Sequence, residues 1–386
     1  MIKMTDVAII GTGMTKFGEH WDKSLKDLAL EAGSRAVDDA GVEGKAIDGM
    51  FIGSMSPGLF TNQEHLGALA ADAVGLKVPS VRVEGACASG GLALRQGLIA
   101  IKSGLHDVVM VGGVEKMTDI PSEQAAVALA GAGDEEWEGY FGATFPALYA
   151  LMARCHMAKY GTTEEQLAAV AVKNHGFARH NKYAQFPFPI TIQQVMESAP
   201  VALPLKLLDC SPLTDGAACV ILARGDLAKK YCEDPVYIRG TGQASDTLAL
   251  HDRKTFTEIE AAQTASRQAY KMAGVGPKDI GVAEVHDCFT IAEIMAIEDL
   301  GFFKKGEGGK ATEDGLTNMG GKVVVNTSGG LKGCGHPVGA TGIKQAIEMV
   351  LQLRGEAEGR NTNAEWGLTH NVGGSGATCV CHIFHR

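Results

Sequence analysis

Residues 7–13 read VAIIGTG, and residues 236–242 read VYIRGTG. The segments after the two copies are also alike. Residues 28–54 (LALEAGSRAVDDAGVEGKAIDGMFIGS) and 261–287 (AAQTASRQAYKMAGVGPKDIGVAEVHD) each run through a helical pattern to Ala-Gly-Val, then into another apolar strand. Further on, each half opens a helix from a glycine-rich turn: CASGGLALRQGLIAIKSG from Cys87, and GHPVGATGIKQAIEMVLQLRG from Gly335. Each half then closes on apolar strands, VVMVGG and AACVILA in the first, LTHNVGG and ATCVCHIF in the second. Four elements in one order indicate an internal duplication. It divides the chain into residues 1–235 and 236–386.

The two glycine-initiated helices carry a burial signal. Leu92, Leu94, Leu98, Ile99 and Ile101 are not confined to one face, and neither are Ile343, Ile347, Val350, Leu351 and Leu353. A helix that is apolar nearly all round is buried on several sides. Two such helices between two sheets, with further helices outside, give an α/β fold of five layers, αβαβα. Residues 118–205 have no counterpart in the second half. They include the acidic GAGDEEWEGYFG, the helical TTEEQLAAVAVKNHGFARHN and an irregular end marked by Pro187, Pro189, Pro200 and Pro204. This is read as an inserted loop region over the core, and long insertions are usually functional.

Bulk properties narrow the function classes. The chain of 386 residues is 45% hydrophobic and 21% charged, which suits a soluble globular protein with a large core. A formal charge of −10 disfavours a nucleic-acid partner, since phosphate neutralisation needs basic patches. The start, MIKMTDVAIIGTG, has an apolar run of only four residues and reads as a strand rather than a leader. No stretch approaches the roughly 18 apolar residues of a membrane helix, so no membrane partner is expected. Nine cysteines without framework spacing fit a reducing cytoplasm.

The chemistry is expected around Cys87. It follows a strand end, VRVEGA, and begins the first buried helix, where the dipole and free amides favour thiolate. A small core cysteine is the other reading. A base must come from elsewhere in the chain. His336 lies in GGLKGCGHPVGATG, flanked by glycines and fixed by Pro337. His286 follows the apolar strand VAEV, at the kind of strand end where α/β sites collect, and Cys288 lies two residues on. Three other signals are discounted. GTGMTKFG lacks the third glycine of a dinucleotide fingerprint, Lys16 standing in its place. Cys379 and Cys381 in CVCHIFHR share one strand face and read as core rather than as zinc ligands. GDEEWEG reads as a solvated loop.

GACASG around Cys87, SPLTDGAA at 211–218, HDCF at 286–289, GGLKGCGHPVGATG at 329–342 and the terminal HNVGGSGA together resemble the thiolase superfamily. The resemblance spans the whole chain in order. HDCF and HNVGGSG are similar to the branch of sterol-carrier-protein-2 thiolases and archaeal acetoacetyl-CoA thiolases. That likeness implies a thiolase-like fold and an acyl group carried on Cys87. His336 would be the base and would also aim a ring N–H at the thioester oxygen of the second substrate. Other thiolases place a second catalytic cysteine where this chain has Asn371, which cannot titrate, so Cys288 is the implied acid/base. His286 would serve an oxyanion hole through a water, and the backbone N–H groups of Cys87 and Gly373 would form the other hole.

The reaction implied is acyl transfer with Claisen condensation: two acetyl-CoA give acetoacetyl-CoA and CoA, reversibly. Cleavage of longer 3-ketoacyl-CoA is an alternative enzymatic reading, as is a ketoacyl-synthase-like condensation using both histidines. A non-catalytic scaffold in a synthase complex is an alternative of another class. CoA would be substrate and product, with no tightly bound cofactor and no metal. Lys173, Arg179 and Lys182 are candidates for contacting it. The resemblance also implies a homodimer or tetramer, and a complex with 3-hydroxy-3-methylglutaryl-CoA synthase and a small OB-fold bridging protein.

Overall fold

The computed structural model describes residues 6–386; Met1–Thr5, part of the N-terminal stretch read against a leader, lie outside them. The first half runs β1 (Val7–Met14), α1 (Leu25–Ala40), β2 (Gly49–Gly53), α2 (Pro57–Thr61), α3 (Leu66–Ala73), β3 (Ser80–Val83), α4 (Ser89–Lys102) and β4 (Val108–Glu115). An excursion leads through α5 (Ser122–Ala130), α6 (Phe145–Tyr160), α7 (Glu164–Ala178), α8 (Ile192–Glu197) and a small hairpin, β5 (Pro200–Ala202) with β6 (Leu205–Lys206). The chain returns in β7 (Gly216–Arg224) and α9 (Gly225–Tyr231). The second half comprises β8 (Val236–Ser245), α10 (Glu260–Ala273), β9 (Val282–Glu284), α11 (Thr290–Asp299), α12 (Gly308–Glu313) and β10 (Val324–Val325). It ends with α13 (Gly330–Cys334), α14 (Thr341–Arg354), β11 (Trp366–Gly373) and β12 (Thr378–His385).

The repeated segments fold alike. β1 leads to α1, which ends on Gly41 at φ 60°, and β8 leads to α10, which ends on Gly274 at φ 73°. Both glycines take the left-handed turn that a side chain would strain. The repeated Gly-Thr-Gly has a packing cause. A Cβ on Gly11 or Gly13 would fall into the backbone of α1, and one on Gly240 or Gly242 into that of α10. These glycines bring each helix down onto its strand, which leaves no need for a nucleotide to explain them.

Five strands come from each half, in the orders β3-β2-β4-β7-β1 and β8-β12-β11-β9-β10. The two sets were expected as separate sheets. They are joined instead: Ala8 pairs with Tyr237 and Ile9 with Val236, making one ten-stranded sheet. The reason is that β1 and β8 are each the edge of their own set, and an edge exposes unpaired backbone groups. Away from this seam the sets diverge and enclose α4 and α14, which pack on each other, while α1 and α10 cover the outer faces. The layers are therefore α, β, α, β, α. Leu94, Leu98, Ile343 and Ile347 of the central helices share one buried cluster with Val109, Val220 and Phe384 of the strands.

The inserted region is not a loop. It holds four helices, and α6 (FPALYALMARCHMAKY) was not anticipated, because its apolar residues keep to no single stripe. Nor is the acidic run wholly solvated. Residues 135–139 form one wide helical turn in which Glu138 is buried, accepting the N–H of Leu250 at 2.6 Å. No helix among the described residues is long and apolar enough to cross a membrane.

Candidate active site

Cys87 sits in a single turn of 3-10 helix, residues 86–88, between β3 and α4. Ala86 holds φ 52°, an uncommon value for a residue with a side chain, and the turn is clamped around it. The Ala86 N–H donates to Glu84 Oε1 at 2.6 Å; Ser89 Oγ accepts the Gly85 N–H at 3.0 Å and donates to the Ala86 carbonyl at 2.6 Å. Strain maintained in this way is characteristic of functional turns. The thiol state differs from expectation. Burial pushes the Cys87 thiol up to about 12, despite the N–H of Gly374 directed at its sulfur, and the carboxyl of buried Glu115 adds to the rise. Desolvation outweighs the dipole of α4, whose first residue is Ser89, two beyond the cysteine. Cys87 rests as a thiol.

His336 stands beside it. Its ring and that of His286 stand 5.0 Å apart, nearly perpendicular, and their nitrogens lie with the Cys87 sulfur inside a span of 4.8 Å. The His336 N–H donates to Thr214 Oγ1 at 2.9 Å, and Gly335, at φ 112°, makes the bend that delivers the ring. Nδ1 meets Thr341 Oγ1 at 2.6 Å, and that hydroxyl donates its one proton to the Pro337 carbonyl at 3.1 Å. Oγ1 can therefore only accept from the ring. His336 carries its proton on Nδ1 and presents the Nε2 lone pair to the site. Burial lowers its pKa to about 3, so it is a neutral base.

His286 ends the short link after β9. Its Nδ1 faces Asn371 Nδ2 at 3.2 Å, while Nε2 is buried without a hydrogen-bond partner. Burial, with His336 beside it, holds its pKa well below the usual histidine value. Asn371 is tied down on every atom: Nδ2 also donates to the Cys87 carbonyl at 2.9 Å, and Oδ1 accepts the Gly91 N–H at 3.1 Å.

Cys288 is buried in the wall of the same cavity, where burial and the neighbouring Cys87 thiol keep its own thiol well above the usual range. It therefore rests protonated. Beside it stands Tyr149 of α6, a residue that no sequence signal marked. The Tyr149 ring packs on Phe289 with centroids 4.7 Å apart, its hydroxyl donates to the Gly374 carbonyl at 3.1 Å, and it lies within hydrogen-bonding reach of the Cys288 thiol. Thr341 and Thr214 were also missed, although both fall inside the quoted motifs. Cys87, Cys288, Tyr149 and His336 line a cavity of about 450 Å³ whose walls, including Leu129, Phe145 and Leu213, are mostly apolar. A larger cleft of about 870 Å³, with Asp6, Arg224 and Arg239 in its walls, is lined by no cysteine, serine or histidine.

Several expectations need correction. The Gly374 N–H, an amide no motif singled out, draws the Cys87 thiol pKa down against its burial, and Gly373 beside it stays the proposed oxyanion-hole donor. Gly373 is the last residue of β11, paired with Thr378, and Gly374 turns out of the strand at φ 62°. Lys173 is not free to meet CoA: it is buried, 3.0 Å from Glu293, and donates to the Val325 carbonyl at 2.7 Å. A buried lysine requires such partners. Arg179 and Lys182 are placed just after α7, Lys182 lying 3.9 Å from Glu358, and neither lines the cavity. Cys379 and Cys381 pack in the core, as their spacing suggested.

Known proteins resemble this chain along nearly its whole length. The model of the thiolase N-terminal domain matches residues 7–202, and the thiolase C-terminal domain-like model matches residues 242–386. The chain belongs to the thiolase family. It is 57% identical over 99% of its length to an acetyl-CoA acetyltransferase of Methanothermobacter thermautotrophicus, all of which is covered. It is 52% identical over 98% of its length to an acetyl-CoA acetyltransferase of Methanocaldococcus jannaschii, covering 99% of that protein. Sterol carrier protein 2 of Bos taurus is 34% identical over 97% of this chain and 71% of its own. Among solved structures, the Ltp2-ChsH2(DUF35) aldolase matches with a TM-score of 0.86 and 27% identity, over 99% of this chain and 98% of that one.

Proposed function

We propose that this thiolase is an acetyl-CoA C-acetyltransferase that condenses two acetyl-CoA into acetoacetyl-CoA and CoA, reversibly, through acetyl-Cys87. The observation that carries the reading is the meeting of a protonated thiol, a neutral histidine with a free lone pair and a second buried thiol in one apolar cavity. The names of the two archaeal relatives support acetyl groups over longer chains, and the intact set of reacting groups speaks against a mere scaffold. The site lies where the two proposed halves, 1–235 and 236–386, come together.

The proton inventory suggests the order of events. His336 Nε2 takes the Cys87 proton as the sulfur attacks the thioester, and the tetrahedral oxyanion is held by the N–H groups of Cys87 and Gly373. CoA leaves with a proton from Cys288, which becomes the thiolate. His336 keeps its new Nε2 proton, so His336 directly, and His286 through a water, present donors to the carbonyl oxygen of the second acetyl-CoA. The Cys288 thiolate removes a proton from the α-carbon, and the enolate so formed attacks acetyl-Cys87. Cys87 leaves as thiolate and recovers its proton from His336. Both thiols are restored, and the products are acetoacetyl-CoA and CoA.

This order explains why Cys288 rests protonated: the first half-reaction generates its thiolate. Mass spectrometry after incubation with acetyl-CoA should find one acetyl group on Cys87; an unmodified Cys87 would sink the reading. Cys288→Ala should condense more than about a hundredfold more slowly, the usual size of an acid/base contribution. Condensation at the wild-type rate would remove Cys288 from the mechanism.

CoA's charged end requires cations, and none line the cavity. Arg179 and Lys182 remain candidates only for its outermost part. Assembly as a homodimer or tetramer is proposed from the family. So is association in the cytoplasm with 3-hydroxy-3-methylglutaryl-CoA synthase and a small OB-fold bridging protein, which would draw off the product. The likeness to an aldolase named together with a DUF35 partner supports a second protein at this fold.

A further inference from the structure

We propose that Asn371 is a positioning residue that keeps the His286 ring a hydrogen-bond donor, and thereby withholds the Cys87–His286–His336 cluster from metal ions. An amide side chain has one accepting oxygen and two donating protons. The Gly91 N–H can only donate, so it fixes Oδ1 at 3.1 Å; the Cys87 carbonyl can only accept, so it fixes Nδ2 at 2.9 Å. Both partners are main chain and cannot adapt to a flipped amide. The second Nδ2 proton then points at His286 Nδ1, 3.2 Å away. A neutral imidazole that accepts at Nδ1 carries its proton on Nε2. That Nε2 is the buried nitrogen without a partner, and it belongs to the ring facing Cys87 and His336.

The packing leaves the amide no alternative position. A Cβ on Gly91 would come within 2.9 Å of Asn371 Oδ1, and one on Gly342 would come closer still. Both neighbours are glycine, and Asn371 fills the space between the starts of α4 and α14.

The consequence concerns metals as much as catalysis. A cysteine sulfur and two histidine nitrogens within 4.8 Å of one another are the ligand set of a zinc site with an open fourth position. A metal binds imidazole only through a lone pair. With Nε2 protonated and the Nδ1 lone pair taken by the Asn371 N–H, His286 has no free lone pair to offer the cluster through either nitrogen, and moving the proton to Nδ1 would set it against that N–H. Asn371 thus leaves Cys87 and His336 as a reacting pair with a donor at their side. The proposal rests on the reading of Cys87 and His336 as that pair.

The tautomer can be read in the wild-type enzyme without any acyl chemistry. In protein labelled with ¹⁵N-histidine, proton–nitrogen correlation should find His286 protonated on Nε2 and His336 on Nδ1, with assignment by loss of signals in His286→Asn. A proton on Nδ1 of His286 overturns the proposal. Asn371→Asp supplies a second test, because a carboxylate accepts from Nδ1–H and frees the Nε2 lone pair. Zn²⁺ should bind that variant at least about tenfold more tightly than wild type, the usual scale of an outer-shell change. Equal Zn²⁺ affinity in a folded variant also overturns it, and should the variant not fold, the wild-type ring signals decide. Failure of Cys87 to take up acetyl would instead sink the catalytic reading and leave the tautomer result standing.

Discussion

The turn that carries Cys87 and the turn that carries His336 open the two central helices, one in each half, and they are held in opposite ways. Around Cys87 every restraint falls on the main chain or on neighbours: Glu84 on Ala86, Ser89 on Gly85 and Ala86, Asn371 on the Cys87 carbonyl. Its side chain is left unanchored by any other side chain. His336 is restrained through the ring itself, by Thr341, as well as through its N–H by Thr214. A nucleophile must travel toward a carbonyl and back, so only its base can be fixed. A general base must aim one lone pair, so the ring has to be fixed too. The duplication supplied two helix starts, and the chemistry divided them into a moving partner and a fixed one.

The most severe way to break this division is to remove the fixed partner. His336→Ala should slow acetylation of Cys87 by roughly 10²–10⁴, the contribution of a positioned base. The thiol, pushed up to about 12 by burial, does not give up its proton without an acceptor. Single-turnover acetylation by quenched mass spectrometry measures the step. A loss below about threefold, small beside that contribution, would mean that Cys87 ionises unaided.

Next in size is the close approach that brings the two turns together. A Cβ on Gly342 would run into the Gly91 main chain and Asn371 Oδ1, and one on Gly90 would lie 2.7 Å from the Gly339 carbonyl. Gly342→Ala should destabilise the protein by about 1–3 kcal/mol, the usual cost of overpacking, because the obstacles are mainly backbone. Denaturant unfolding reports this directly. An unchanged midpoint would mean that α4 and α14 can part without cost.

That pair of glycines also marks how far the sequence could be read. The duplication, the central helices and the residues Cys87, His286, Cys288 and His336 were legible because each has a local signature: a repeat, an all-round apolar helix, a cysteine or histidine at an element boundary. The β1–β8 seam was not, since edge strands announce that they are edges only once their neighbours are placed. Tyr149 was invisible because α6 is apolar on several faces and its one useful atom is a hydroxyl at the end of a core ring. The thiol states were misjudged for the same reason: a helix dipole can be read from sequence, whereas desolvation is a property of everything packed around the sulfur. Lys173 looked like an available cation until the fold buried it against Glu293.

A gentler change sharpens the comparison. Thr341→Val keeps the size of the side chain but removes the oxygen that holds Nδ1–H. The ring should then sample its other tautomer and other rotations, lowering Cys87 acetylation about tenfold, on the scale of one lost buried hydrogen bond. Thr341→Ser should restore most of the rate. If valine and serine behave alike, the 2.6 Å contact does not aim the ring.

The smallest expected effect is the absence of one. A free imidazole loses its basic form as pH falls through about 6.5. His336 does not, because burial lowers its pKa to about 3. The initial rate of Cys87 acetylation should therefore vary less than about twofold between about pH 7.5 and 5.5; a limb centred near about 6.5 would place His336 in contact with water. Stability over the same range should behave differently. His336 and His370, each lowered to about 3, and His382, lowered to about 4, stay neutral in the fold but take protons when unfolded. The unfolded state then binds more protons, so their stabilising contribution is present above about pH 6.5 and is lost as pH falls toward about 4 and below. Each histidine contributes at most about 1.4 kcal/mol per pH unit in that window. Denaturant midpoints should fall on acidification while early rates hold level, which separates a base kept neutral by burial from one that merely happens to be deprotonated.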